Sequence, residues 1–339
     1  MKIQKFDINQ NVLIIAEIGN NHEGNFSLAQ DMIKMAADSG ADAVKFQTIC
    51  VERFITTSEK NRFEQLKKYE LSYKQFESLA QTAKDNNVLF LSTPFDIESI
   101  DAIEPFVSAY KIASGDNTFW PLLKHAAKKG KPIIMSTGLA TISNLEKAIS
   151  IITSITSKSP YSNQKDSYAL LHCISAYPAS DNELNLLTIK YLQDYFGCLT
   201  GYSDHSLGTT SCIAAVAIGA RIIEKHFTYK KEGQVFKDHL LSATPTELKE
   251  MVLQIRSVEQ MLGSYKKETI KSEEPLYVAA RRSIAAKINL LSGSTIKHED
   301  ITWVRPGNGI KPGNEDQIVG QRLNKDIQQG HIFSYEDFV

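Results

Sequence analysis

Short apolar runs rich in Val, Ile and Leu alternate with longer amphipathic stretches from residue 12 to about residue 262, and eight such pairs can be counted. The runs are VLIIAEIG (12 to 19), ADAVKFQT (41 to 48), VLFLSTPF (88 to 95), SAYKIASG (108 to 115), KPIIMSTG (131 to 138), YALLHCIS (168 to 175), CLTGYSDH (198 to 205) and ARIIEKHF (220 to 227). Each is apolar nearly throughout, as expected of parallel strands covered on both faces. The stretches between them, such as 27 to 40, 143 to 155 and 244 to 262, carry a helical period, and these three open on Ser27, Ser143 and Thr244 as expected of caps. Eight βα units in about 250 residues is the size of a (β/α)8 TIM barrel, an α/β fold; the count alone also permits an open doubly wound sheet.

The pattern changes after residue 262. The segment 263 to 282 is charged, contains Pro275 and has no sustained apolar period, so it reads as a linker. From 283 to 339 short strand-like pieces (SIAAKI, ITWVRPG, RLNKDI) are separated by turn signals such as LSGS and QQGH, which predicts a small, mostly β domain. About 57 residues make little core, so this domain is expected to lean on a larger surface.

Charge narrows the function. Lys and Arg total 38 against 39 Asp and Glu, a net charge of −1, which offers no field for nucleic acid or an anionic membrane. Any anionic ligand must then be held by a local cluster. The opening MKIQKFDINQ lacks the apolar region of a signal peptide, and no run approaches the roughly 20 apolar residues of a membrane span, so the expected location is cytoplasmic. Cys50, Cys173, Cys198 and Cys212 show no metal spacing and read as reduced packing residues. No GxGxxG or GxxxxGK[ST] motif is present, which argues against a dinucleotide fold or a P-loop.

In a barrel of this kind the site lies at the C-terminal strand ends, and here all eight ends are polar. Glu17 closes the first run; Lys45 and Gln47, two apart, share a face of the second. Thr93 follows on the third, Lys111 and Ser114 on the fourth, Ser136 on the fifth, Ser175 and Tyr177 after the sixth, Ser203 and His205 on the seventh, and Glu224 and His226 on the eighth. Lys45 and Lys111 with Thr93, Ser114 and Ser136 predict a dry, positive pocket for a phosphate or carboxylate. Alternatively each lysine snorkels outward or pairs with a nearby acid. His205 and His226 end consecutive strands, about 5 Å apart in backbone terms, and can hold one metal with positions left open for substrate. Neutral imidazoles are needed for that, so activity is expected to fade below about pH 6. His172 and His125 read as structural; His22 and His239 are undecided by spacing.

Taken in order, IIAEIGNNHEG, AVKFQT, LSTPF, AYKIASGD, PIIMSTG, ALLHCISAYP, TGYSDHSLG and IIEKHFT resemble the sialic acid synthase family, and VRPGNG lies in a segment that resembles that family's antifreeze-like (SAF) domain. The resemblance spans about residues 12 to 335. It implies a barrel followed by a SAF domain, condensation of phosphoenolpyruvate with an N-acetylated amino-hexose, release of phosphate by C–O cleavage, and a divalent cation, Mn2+ or Mg2+. It also implies a homodimer in which the small domain of one subunit caps the site of the other. By this resemblance Lys45, Thr93, Lys111, Ser114 and Ser136 hold phosphoenolpyruvate, His205 and His226 bind the metal, and Glu17 lies beside its water. Gln47, Tyr177, Asp238 and Arg305 match sugar contacts, and Ser203 is counted with them. Ser175 stands where N-acetylneuraminate synthases have Asn (HCISAYP for HCTNIYP), and Asp116 where many have Glu, so the resemblance leaves the sugar open. Two other functions fit the residues alone: a Schiff-base aldolase using Lys45 or Lys111, and a carbohydrate-binding protein without catalysis.

Overall fold

The structure is a computed structural model that describes residues 1–157 and 167–339. It divides into two compact units, Met1–Gly263 and Ser264–Val339.

In the first unit all eight expected runs form strands: β3 (Leu13–Gly19), β4 (Ala43–Thr48), β5 (Leu89–Pro94), β6 (Tyr110–Ile112), β7 (Ile133–Ser136), β8 (Tyr168–Cys173), β9 (Leu199–Asp204) and β10 (Ile222–His226). They are parallel and ordered by sequence, and β10 pairs with β3, so the sheet is a closed barrel rather than an open one. Closure fixes what each strand position faces, because side chains of one parity point into the lumen and those of the other meet the helices. The helix-facing set includes Ile14, Val44, Phe90, Tyr110, Met135, Leu170, Tyr202 and Ile223, all in the main core. The lumen set changes character along the axis. Its lower positions, among them Leu13, Ile15, Ala43, Leu91, Ile134, Leu171 and Ile222, form a separate buried apolar cluster.

That cluster is sealed by the N-terminal segment. Strands β1 (Lys2–Ile3) and β2 (Phe6–Asp7) form an antiparallel hairpin whose neighbours Met1, Ile3 and Ile8 belong to the same cluster, and Arg221 donates twice to Ile8 O, at 3.1 and 2.9 Å. Gly201 lies at a lumen position where a Cβ would come within 2.3 Å of Ile222 O and 2.6 Å of Leu171 Cδ2. The floor is therefore solid, and open space is confined to the C-terminal end.

The helices begin close to the expected points, with different caps. Thr244 caps Pro245–Leu262 as read, but Asn25 rather than Ser27 caps Phe26–Asp38, and Thr141 rather than Ser143 caps Ile142–Thr156. Each of these side chains accepts from a backbone N–H of the first turn, satisfying one of the helix's unpaired donors. No helix among the described residues is long and apolar enough to cross a membrane.

The second unit pairs β11 (Ser283–Ala286) with β12 (Ile301–Val304). RLNKDI is not a regular strand; it makes single bridges from Arg322, Leu323 and Ile327 to Thr295, Phe338 and Leu290. The unit also has a larger core than its length suggests, with Ile284, Ile301, Ile318, Leu323 and Phe333 among ten buried apolar residues. The expected linker does not stay free throughout: Gly307 N donates to Val278 O at 2.7 Å, and Arg282 donates to Trp303 O at 2.6 Å. One backbone bond and one guanidinium bond thus tie the end of the segment to the small unit.

Candidate active site

One step above the apolar lumen floor the same parity turns polar. Glu17 on β3, Lys45 and Gln47 on β4, Thr93 on β5, Lys111 on β6, Ser136 on β7, Ser203 on β9, and Glu224 and His226 on β10 line a cavity, joined by Ser114, Tyr177 and His205 from the strand ends. Eleven residues given a role from the sequence thus meet in one place, with Glu224 as the twelfth. The parallel register explains the grouping, since His226 is level with Glu17, Glu17 with Lys45, and Gln47 with Thr93.

The lysines carry carboxylate partners, one of the two arrangements that the sequence left open. Lys45 Nζ lies 2.7 Å from Glu17 Oε2 and donates to Thr93 Oγ1 at 3.0 Å. Lys111 Nζ donates to Ser136 Oγ at 2.6 Å. Between them stands Glu224, whose Oε1 is 3.6 Å from Lys45 Nζ and 3.5 Å from Lys111 Nζ, and accepts from Ser203 Oγ at 3.1 Å. Unpaired ammonium groups buried this deeply would carry a large desolvation cost, which the carboxylates offset. Glu224 went unassigned in the sequence, although its spacing of two from His226 puts both on the lumen face.

The two acids differ. Burial pushes Glu17 up to about 7, with Lys45 opposing and Glu224 reinforcing the shift. Burial also acts on Glu224, but Lys111 and Lys45 outweigh it and hold that carboxylate below its ordinary range. Lys111 is lowered by burial, against Glu224; Lys45 is raised, because Glu17 and Glu224 together overcome its burial. Glu17 is therefore the group that exchanges a proton near neutrality, while Glu224 stays charged.

The histidine rings lie with centroids 5.4 Å apart, and the Tyr177 ring stacks on His205 at 4.0 Å. His205 Nδ1 donates to Ile174 O at 2.7 Å, which fixes the tautomer and leaves the Nε2 lone pair free. His226 Nδ1 is buried without a hydrogen-bond partner, and Asp238 Oδ2 is 3.9 Å from it. Burial lowers His205 to about 4 and His226 well below its ordinary value, so both imidazoles are neutral at physiological pH. Two neutral imidazoles beside a buried carboxylate suit a divalent cation better than they suit each other.

The remaining candidates fall in three places. Gln47 lines the cavity, accepts from Asn20 at 2.8 Å and donates to Glu17 at 3.3 Å. Ser175 lies beside the cavity rather than on its lining: a Cβ on Gly138 would meet Ser175 Oγ at 2.4 Å and Ser114 Oγ at 2.7 Å, so the two hydroxyls flank one glycine. Asp238 sits in the turn Lys237–Leu240 next to His226, and Asp116, raised to about 6 by burial, ends the turn that begins at Ser114. Arg305 belongs to the second unit, where it is exposed and follows β12. His172 donates to Leu184 O at 2.6 Å and His125 lies 2.8 Å from Asp101, both structural as read. His22 accepts from Gly24 N at 3.0 Å, and His239 meets Thr228 Oγ1 at 2.6 Å, so both serve loop conformation. Away from the cavity Cys50, Glu52 and Glu70 cluster, but Lys67 already bridges the two carboxylates at 2.9 and 3.1 Å.

A family model described as the NeuB family matches residues 32–267, and one described as the SAF domain matches residues 281–339. The chain belongs to the NeuB family. This NeuB chain is 40% identical over 338 residues to the N,N'-diacetyllegionaminic acid synthase of Legionella pneumophila, covering 95% of this chain and 93% of that one. It is 38% identical over 334 residues to the enzyme of the same name from Campylobacter jejuni, covering 94% and 98%. The crystal structure of the N-acetylneuraminic acid synthetase of Leptospira borgpetersenii, in complex with citrate, matches with a TM-score of 0.75 at 37% identity, over 81% of this chain and 94% of that one. The barrel region and the SAF domain read from the sequence are thus each matched by a family model.

Proposed function

We propose that this NeuB chain is a nonulosonic acid synthase that condenses phosphoenolpyruvate with an amino-hexose carrying two acetamido groups, acting in the cytoplasm. The observation that carries the reading is the pairing, in one closed lumen, of an anion-binding half (Lys45, Lys111, Thr93, Ser114, Ser136) with an acceptor half bearing the free sides of His205 and His226. The acceptor class rests on the similarity to the two legionaminic acid synthases.

On this reading phosphoenolpyruvate lies with its phosphate and carboxylate on the lysines and hydroxyls, where Lys111 Nζ already donates to Ser136 Oγ at 2.6 Å. A divalent cation, Mn2+ or Mg2+, held by His205 and His226 with Asp238 beside them, would polarise the acceptor's aldehyde. The enol carbon attacks that aldehyde carbon, water adds at C2, and the tetrahedral product expels phosphate with cleavage of the C–O bond. One proton must pass from the water to the new alkoxide. Glu17, near 7 and hydrogen-bonded to Gln47 on the acceptor side, is the group placed to carry it. Tyr177, Gln47 and Ser203 would contact the sugar. A Schiff-base route through Lys45 conflicts with the carboxylates that keep it protonated.

The test is incubation with phosphoenolpyruvate and a panel of N-acetylmannosamine and its 4- and 6-modified relatives, read by phosphate release and product mass. Highest kcat/KM with a diacetamido hexose is expected. Preference for N-acetylmannosamine would refute the acceptor assignment, and no release with any sugar would refute the synthase reading.

We further propose a homodimer in which Arg305 of one subunit completes the sugar site of the other. Its support within the small domain is that Arg305 is exposed and has no ion pair or hydrogen bond among the described residues. The ten-residue core of that domain removes the argument from marginal stability, but not the argument from the idle guanidinium. Mixing inactive Arg305→Ala and His205→Ala subunits should restore about a quarter of native activity, because half of the dimers are mixed and each carries one intact site. A mixture that stays inactive, with dimers demonstrated, would show that each site is completed within one chain.

A further inference from the structure

Behind the histidines, on the helix-facing side of the barrel wall, lies a second buried ion pair that the proposed chemistry does not use. Lys225 and Asp204 are 1% and 0% exposed, and Lys225 Nζ is 2.7 Å from Asp204 Oδ2. They directly precede His226 and His205 in the chain, so opposite parity puts the pair outside the lumen and the imidazoles inside. Its other bonds converge on the backbone that carries His205. Lys225 Nζ donates to Ser206 O at 2.7 Å, Ser206 N donates to Asp204 Oδ1 at 2.9 Å, and Tyr202 OH donates to the same oxygen at 2.9 Å. His205 O accepts from Ala179 N at 2.9 Å, and its ring is held by Ile174 O. The end of β9 is thereby tied to β10 by the ion pair and by the Lys225 bond to Ser206 O, and to its own next turn by the bond from Ser206 N to Asp204.

We infer that Lys225 and Asp204 are positioning residues that set the separation and angle of the His205 and His226 imidazoles, and through them the affinity for the divalent cation. The pair costs desolvation that an apolar contact would avoid, and Lys225 Nζ and Asp204 Oδ1 both bond the Ser206 backbone next to His205, while Asp204 Oδ2 takes Lys225 and, at 3.5 Å, Cys212 Sγ. Partners that orient metal-binding imidazoles commonly account for 10- to 100-fold in metal affinity. The inference rests on the reading of His205 and His226 as cation ligands.

The experiment measures Mn2+ affinity by electron paramagnetic resonance of free Mn2+, and phosphoenolpyruvate affinity separately without metal. It uses the full-length native protein, His205→Ala, Lys225→Met, and the double variant Asp204→Asn/Lys225→Met. The double variant leaves no unpaired buried charge, which guards against loss of folding in the single one. Expected are tight binding by the native protein, none by His205→Ala, and about 10- to 100-fold weaker binding by the Lys225 variants with phosphoenolpyruvate affinity changed less than about twofold. Native Mn2+ affinity in a folded Lys225 variant would overturn the inference while leaving the histidine site intact. Failure of the native protein to bind Mn2+ would overturn the histidine reading itself. If both Lys225 variants unfold, the pair holds the barrel together rather than the histidines, and the positioning role is rejected.

Discussion

Chelation of divalent cations is expected to reduce phosphate release to background, and added Mn2+ or Mg2+ to restore it. His205 and His226 present a pair of neutral imidazoles with one lone pair freed by the bond to Ile174 O and one buried nitrogen left unpartnered, an arrangement costly to maintain without a ligand. The pH dependence differs from the sequence expectation of fading below about pH 6. Burial holds His205 near 4, so protons compete for its ring only as the pH falls toward that value, and Mn2+ affinity should stay level from neutrality to about pH 5. Turnover should fall earlier. Glu17 titrates at about 7 without metal, so lowering the pH through that value removes the carboxylate needed to take a proton from water. A cation bound nearby favours the carboxylate and moves this limb to lower pH. Full activity in excess chelator would eliminate the two-histidine site. An acid limb that coincides in rate and in Mn2+ affinity would assign the titration to the histidines instead of Glu17.

Lys111→Ala is expected to lower kcat/KM by about 10²-fold or more, the scale of losing one preorganised charged donor. The effect should exceed that of an isolated lysine, because Glu224 loses one of its two cations and is left with Lys45 alone beside the anion site. A carboxylate left with half its compensating charge repels the phosphate, beyond the loss of the Lys111 donor. Lys111→Ala/Glu224→Gln should therefore recover part of the lost phosphoenolpyruvate affinity, a rescue that a purely structural lysine would not show. Borohydride added during turnover should trap no adduct at Lys45 or Lys111. A change of no more than twofold in Lys111→Ala would make that lysine structural, and a trapped adduct would favour the aldolase.

The barrel was legible because parallel strands buried on both faces read as unbroken apolar runs, and eight of them found their predicted places. The polar ends were equally legible, since a Lys, Glu or His inside such a run has no bland explanation when it recurs on every strand. Three things were not. Glu224 was hidden because its significance depends on the register of β10 against β9 and on the reach of two lysines across the lumen, which no spacing within one strand reveals. The hairpin of Lys2–Ile3 and Phe6–Asp7 has strands too short for periodicity to mark, yet Met1, Ile3 and Ile8 close the barrel floor. The surroundings of Ser175, matched to a sugar contact by resemblance, were not readable either: its hydroxyl and that of Ser114 flank Gly138. In each case the deciding contact is between residues distant in sequence. The core of the small domain was underestimated for a related reason: its apolar residues are scattered through turns and single bridges, with no period to announce them.

The most direct test of the central claim uses phosphoenolpyruvate labelled with 18O at the oxygen joining C2 to phosphorus, together with the preferred acetamido sugar. Attack of the enol carbon followed by expulsion of phosphate from C2 leaves the label in inorganic phosphate, and the product is an unlabelled 2-keto acid three carbons longer than the acceptor. Mass spectrometry of both products reads this at once. Label found in the keto acid, with unlabelled phosphate, would mean that the P–O bond breaks instead, and would contradict the mechanism assigned to the upper lumen of this barrel.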